Sequence, residues 1–313
     1  MINYRGLKRG ATVLVALLAG LLLVVAATMA PDADAQNRRS NAPDRVFALT
    51  DPNTLLQFNG DRPGTIQRTT PVTGLEPGDN LVGIDFRPST AMGEDAANQG
   101  MLYGLGDGAT DTLYVIDTRS GAATRIADLD VPLIGTSFGF DFNPTVNRIR
   151  IVSDQDQNLR VNPITGVVAK DVTPTGDTPL NYATDDDNEG EDPNVTAAAY
   201  RNSRQAAIGT MNTELYDIDT DLDIMAEQFP PNDGTLITEG SLRVDVESFT
   251  GFDIVTRGES PKGDRGFAGL QEMGSNSSTF YSINLDNGRA TEIGMIGRRG
   301  TIVNGLAIPI GQR

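Results

Sequence analysis

A short pattern, a small residue followed by apolar-x-apolar, returns five times along this chain at nearly even intervals. It reads Gly83-Ile84-Asp85-Phe86, Gly139-Phe140-Asp141-Phe142, Ala197-Ala198-Ala199-Tyr200, Gly251-Phe252-Asp253-Ile254 and Gly305-Leu306-Ala307-Ile308. The starts lie 56, 58, 54 and 54 residues apart, slightly longer than a four-stranded propeller blade usually needs. A second pattern, apolar-x-apolar-Asp/Asn, runs in phase with the first and ends at Asn59, Asp117, Asn162, Asp219 and Asn284. In three copies a glycine follows four residues later, at Gly121, Gly166 and Gly288, and another short apolar-patterned segment comes next. Short alternating segments separated by turn residues predict antiparallel β-structure throughout.

The copy at Ile302–Ile308 has no strands after it, and Arg45–Asn59 has no inner strand before it. Joining the two completes one blade from both ends of the chain and removes an exposed sheet edge. The expected fold is therefore all-β, a β-propeller of five four-stranded blades closed by N- and C-terminal strands. Six blades follow instead if the insertion 171–194 hides further strands. A sandwich is the weaker alternative, because it requires no regular period. The five Asp/Asn residues are expected to form Asx-turns that start the following hairpin. The small residue of the first pattern allows backbones to approach around a crowded axis. Tyr114, Tyr216 and Tyr281 recur in register and are assigned to packing between blades.

The chain opens with Arg5, Lys8 and Arg9, an apolar run from Ala11 to Ala30, and Ala33-Asp34-Ala35. This order reads as a secretory signal, residues 1–35, cleaved after Ala35. The run is also just long enough to span a bilayer, so an uncleaved N-terminal anchor is the alternative. Residues 36–44 are a polar tether, and 45–310 form one domain. Either way the body lies outside the cytoplasm, periplasmic or secreted.

Composition removes several chemistries. The 313 residues contain no His, Cys or Trp, so imidazole bases, thiolate nucleophiles, disulfides and Cys/His zinc sites are excluded. The formal charge is -17 and the pI near 4.3, which argues against a nucleic-acid partner. Carboxylate chemistry, hard-cation binding through oxygen, or no chemistry are left.

Several long motifs, in order, carry a family resemblance. They are Leu81-Val82-Gly83-Ile84-Asp85-Phe86-Arg87-Pro88 with Leu102-Tyr103-Gly104-Leu105-Gly106, and Ser137 through Arg150 continuing to Val152-Ser153-Asp154 and Gln157 through Pro163. Val195 through Tyr200, Pro230 through Leu236 and Gly251 through Ile254 add to them. Over about residues 45–310 the chain resembles a bacterial extracytoplasmic family catalogued as domain of unknown function 4394. The resemblance implies an exported, propeller-like protein and no particular activity. The acidic loop at 185–192 and the insertion Met92–Gly100 depart from the family pattern.

Three constellations remain as candidate sites. Asp85, Asp141 and Asp253 occupy one position of the repeat, where carboxylates from inner strands can supply the acid and the base or nucleophile of a glycosidase. Against this, a four-residue loop at Pro144–Asn147 sets Asp141 opposite Arg150, and a carboxylate–guanidinium pair is a sufficient structural reason for both. Asp185, Asp187 and Glu189 alternate before Gly190 like the opening of a calcium loop, although Thr196 stands where a bidentate Glu would be needed. A solvated acidic loop is the competing account. The loops Gly258–Gly266 and Gly274–Ser278 read as exposed turns on a rim where partners bind.

The expected function is a non-catalytic binding or scaffold module with a protein or polysaccharide partner and no obligatory cofactor. Calcium is the one ion the acidic loop suggests. The chain is expected to be monomeric and to meet a membrane only if its first segment is retained. A carboxylate- or calcium-dependent hydrolase, of glycosidase or lactonase type, and a structural envelope protein are the alternatives.

Overall fold

The computed structural model describes residues 42–88, 98–201, 213–256 and 264–311. The first segment, most of the insertion at 92–100 and part of the loop at 258–266 lie outside them. Among the described residues no helix is long and apolar enough to cross a membrane.

Five small sheets account for the regular structure. The first blade combines β1 (Val46–Thr50), β2 (Thr54–Phe58) and β3 (Ile66–Pro71) with β20 (Gly305–Ala307) from the far end of the chain. β20 pairs with β1 in the register Phe47↔Ala307 and Leu49↔Gly305, so the C-terminal segment supplies the inner strand. The second blade runs outward through β4 (Asn80–Phe86), β5 (Leu102–Asp107), β6 (Thr112–Ile116) and β7 (Ala123–Asp128). The third holds β8 (Phe138–Asn143), β9 (Arg148–Ser153) and β10 (Asn158–Val161). The fourth is β12 (Val195–Tyr200), β13 (Leu215–Asp219), β14 (Ile224–Gln228) and β15 (Thr235–Ser241), with β11 (Asn181–Tyr182) added outside. The fifth is β16 (Val246–Val255), β17 (Arg265–Glu272), β18 (Ser278–Ile283) and β19 (Ala290–Met295).

The blade count is five, and the insertion 171–194 does not create a sixth. Its one short strand, β11, runs parallel to β15 and extends the fourth blade to five strands. The third blade is the other departure from four strands. Its outer position is filled only by a bridge between Val161 and Val168, backed by Asn162 N–H donating to Val167 O and Ala169 N–H to Arg160 O.

The inner and middle strands are buried along nearly their whole length, and exposure is concentrated on the outermost ones, β3, β7 and β19. Five apolar clusters form, one between each pair of neighbouring blades. Tyr114 lies in the cluster between the first two blades, and Tyr216 and Tyr281 share the one between the fourth and fifth. The inner strands β4, β8, β12, β16 and β20 contact one another in a ring. Glycine at the first repeat position follows from that crowding. A Cβ on Gly139 would meet the backbone nitrogen of Ala198 at 2.6 Å, and one on Gly251 that of Leu306 at 2.5 Å. Asn59, Asp117, Asn162, Asp219 and Asn284 each accept, through Oδ1, the N–H two residues on, at 2.8–3.0 Å. These Asx-turns follow the third strand in four blades and the second strand, β13, in the fourth blade, and let the chain reverse there without leaving its own backbone donors unpaired.

Candidate functional site

The repeat places Asp85, Asp141 and Asp253 at equivalent positions of β4, β8 and β16, and the ring of inner strands turns them toward one axis. They are buried, 6%, 2% and 4% exposed. One carboxylate oxygen from each lies within 4.8 Å of those of the other two, and among the described residues this is the one acidic group close enough to share an ion.

Their hydrogen bonds run across blade boundaries. Asp85 accepts N–H from Phe86 (2.6 Å) and from Phe142 on the next blade (2.9 Å). Asp141 accepts from Tyr200 on the fourth blade (3.2 Å). Asp253 accepts from Ile254 (2.6 Å) and from Ile308, just past β20 (2.6 Å). The fourth residue of every repeat copy thus gives its N–H to an aspartate. Two copies carry Ala199 and Ala307 where an acid would stand, and there the preceding blade's aspartate, Asp141 or Asp253, serves the donor instead. Three carboxylates satisfy five inner-strand donors that no sheet partner reaches.

Burial raises the pKa of all three well above the usual carboxylate range. The neighbouring acids add to this for Asp85 and Asp141, while the backbone N–H groups oppose it. Among the described residues no ion pair joins any of them to Arg or Lys. Space on the axis is small. The cavity beside Asp85 and Asp253, and the one between the inner strands, each measure about 10 Å³, close to the volume that admits one water.

Arg150 corrects a sequence expectation. The register sets Asp141 opposite Arg150 as the loop length predicts, yet the two do not pair. The guanidinium donates instead to Asp177 Oδ2 (2.8 Å), Asn158 Oδ1 (2.5 Å), Asn232 Oδ1 (3.1 Å) and Tyr200 Oη (3.3 Å). Asp177, itself buried, also binds Arg160 at 2.7 Å. The insertion after the third blade supplies this acid, and no local pattern announces that an arginine so far away in sequence will claim it.

The acidic loop is arranged around a residue the sequence pattern did not single out. Asp186 accepts N–H from Asn188 and both N–H and hydroxyl from Thr238, pinning the loop to β15. Asp185 N–H donates to Glu189 Oε2 at 3.1 Å. Asp185, Asp187 and Glu189 do not converge as an ion-binding set. The carboxylate that ties the loop to β15 is that of Asp186, between the candidate ligands Asp185 and Asp187.

Another buried acid, Asp217 on β13, also went unmarked. It is 0% exposed, and among the described residues neither oxygen has a hydrogen-bond partner. Burial pushes its pKa up to about 8, against a smaller opposing effect of Arg150. The folded protein thus holds a proton here that the unfolded chain, with an ordinary value of 3.8, releases. The stability contributed at this position falls as pH rises from about 4 to about 8, by roughly 1.4 kcal/mol per unit, and is level beyond. Asp217→Asn is expected to remove that part of the slope in urea unfolding between pH 5 and 8; an unchanged slope would refute the assignment.

A groove lies at the seam between the first and fifth blades. Its volume is about 670 Å³, and Thr50, Asp51, Thr54, Phe249, Arg298 and Asn304 are among its lining residues. Phe249 is 46% exposed. Asn304 Nδ2 donates to Asp51 Oδ1 at 3.1 Å, and Asn304 Oδ1 is buried without a partner among the described residues. Sequence reasoning missed this surface. Its one signal is Phe249, an aromatic two residues before the inner-strand glycine and outside the repeat pattern.

Comparison with known proteins gives the family. The model of a domain of unknown function, DUF4394, matches residues 54–307. The chain belongs to this family. Among solved structures, a structural genomics protein of unknown function from Bacteroides thetaiotaomicron is 18% identical, with a TM-score of 0.46, and the match covers 80% of this DUF4394 chain. This chain spans 58% of the length of that structure. A nidogen/laminin complex matches at 12% identity, TM-score 0.46, over 86% of this chain and 99% of that one. A putative 6-phosphogluconolactonase from Bacteroides uniformis matches at 13% identity, TM-score 0.38, over 82% and 83%. At such scores no activity or partner transfers from these proteins.

Proposed function

We propose that this DUF4394 protein is an exported, non-catalytic binding module, and that its ligand surface is the seam groove, which takes a glycan. The groove's size and lining carry the reading. A volume of about 670 Å³ accommodates several sugar units, within the roughly 300–1,000 Å³ of ordinary ligand sites. Phe249 offers an apolar ring face, while Thr50, Thr54, Asp51 and Asn304 offer the hydroxyl, carboxylate and amide groups that pair with sugar hydroxyls. The axial aspartates support the non-catalytic part. A glycosidase pair must flank a sugar ring, whereas here about 10 Å³ of space adjoins the carboxylates and backbone N–H groups occupy them.

The expected result is retention of the mature chain (residues 36–313) by polysaccharide from the host envelope. Phe249→Ala and Asn304→Ala should each reduce retention at least several-fold while leaving the melting temperature within a few degrees. Retention that survives both substitutions, or capture of protein alone, would overturn the glycan assignment.

A further inference from the structure

We propose that Asp85, Asp141 and Asp253 hold one divalent cation of the calcium type on the propeller axis. Three carboxylate oxygens within 4.8 Å of one another match the separations across a calcium ion, whose oxygen ligands sit at about 2.3–2.6 Å. Clustered acids alone are common, and two unpartnered oxygens make this group different. Asp141 is 2% exposed, and it accepts one hydrogen bond, from Tyr200 N–H. Among the described residues nothing donates to its other oxygen, although the side chain faces both other acids. Thr256 is half-buried, but its Oγ1 atom is buried and has no partner among the described residues, and the residue lines the small cavity shared by Asp85 and Asp253.

Charge points the same way. Three acids converge in the interior, and among the described residues no Arg or Lys pairs with them. Arg150, the one guanidinium directly across the sheet from Asp141, is held by Asp177, Asn158, Asn232 and Tyr200. Buried charges of one sign are costly unless a counter-charge or protons accompany them. The five N–H groups supply only partial positive charge and hold the carboxylates from the blade side, leaving the axis side to an ion. A cavity of about 10 Å³ has little room for the retained waters that magnesium demands, which favours calcium. Shared protons are the competing state, and the test separates the two.

The full chain, stripped with a chelator, is titrated with calcium chloride and, in parallel, magnesium chloride, by calorimetry and thermal unfolding. The expected result is one calcium per chain, a rise in melting temperature, and a weaker response to magnesium. Asp141→Asn keeps an acceptor for Tyr200 N–H and removes one like charge. Its calcium-free form should therefore melt at or above the wild-type temperature while its calcium affinity falls roughly tenfold or more, since affinity follows ligand charge. Asp185→Asn/Asp187→Asn should titrate like wild type. Absence of calcium heat and of any thermal shift in the wild-type chain would overturn the proposal in favour of shared protons. Unchanged affinity in Asp141→Asn, or loss of binding in the loop variant, would overturn the axial location. None of these outcomes depends on the glycan groove.

Discussion

A chain that ends at Gly300 is expected to show no cooperative unfolding transition. The deletion removes β20, the inner strand of the first blade, and leaves β1 with an unpaired edge. It also takes Val303, Leu306 and Ile308 out of the cluster between the fifth and first blades, and Ala307 out of the next one. Burial of the three larger side chains contributes about 1.5–3 kcal/mol each, a total comparable with the roughly 5–15 kcal/mol that holds a domain folded. Asp253 loses the Ile308 N–H as well, so a carboxylate oxygen is left without its donor. Far-UV circular dichroism across a urea series checks the outcome. A truncated chain that unfolds with the midpoint of the full one would show that the ring does not depend on closure.

The axial aspartates give the second large effect, with an order set by how many donors each one serves. Asp85→Ala strands the N–H groups of Phe86 and Phe142, and Asp253→Ala strands those of Ile254 and Ile308. Each buried donor left unpaired costs about 1–3 kcal/mol, so either substitution should destabilise the protein by roughly 2–6 kcal/mol. Asp141→Ala strands only Tyr200 N–H and also relieves like-charge repulsion, so its cost should be the smallest of the three. Chemical denaturation of the three variants in chelator, at one pH, tests this. A larger loss for Asp141→Ala than for Asp253→Ala would refute the donor-sharing account.

How much of this was legible in the sequence depends on the range of the interaction that decides each feature. The repeat copies located all five inner strands, because a glycine or alanine at their first position answers a contact every blade makes with the next. The Asx-turn residues were legible for a similar reason, since their hydrogen bonds span two residues. Closure by the C-terminal segment followed from counting strands at both ends. The fifth strand of the fourth blade was not legible: Asn181 and Tyr182 pair with Thr235 and Leu236 in parallel, and two residues give no period to read.

The axial site was legible as a set of residues but not as a network. Phase alone brings Asp85, Asp141 and Asp253 to the axis. Their division of five donors depends on Ala199 and Ala307, which read as ordinary strand residues until the neighbouring blade's N–H is in view. Arg150 shows the same limit from the other direction. Its cross-strand partner is fixed by a four-residue loop, but a long side chain chooses among all acids in reach, and Asp177 arrives from an insertion outside the repeat. In the acidic loop, spacing drew attention to Asp185, Asp187 and Glu189, while the contact to Thr238 that organises the turn belongs to Asp186.

The two ends of the described propeller meet at the seam, where Asn304 reaches Asp51 across 253 residues of sequence. That arrangement sets an order in time. Blades two to five can each form from contiguous sequence as the chain is synthesised, but the first cannot finish until all the others have been made. Until then β1, the strand waiting for β20, keeps a bare edge. Until β20 has been made the blades stand as an open arc, and its pairing with β1, across the whole propeller, carries a large loop-closure cost.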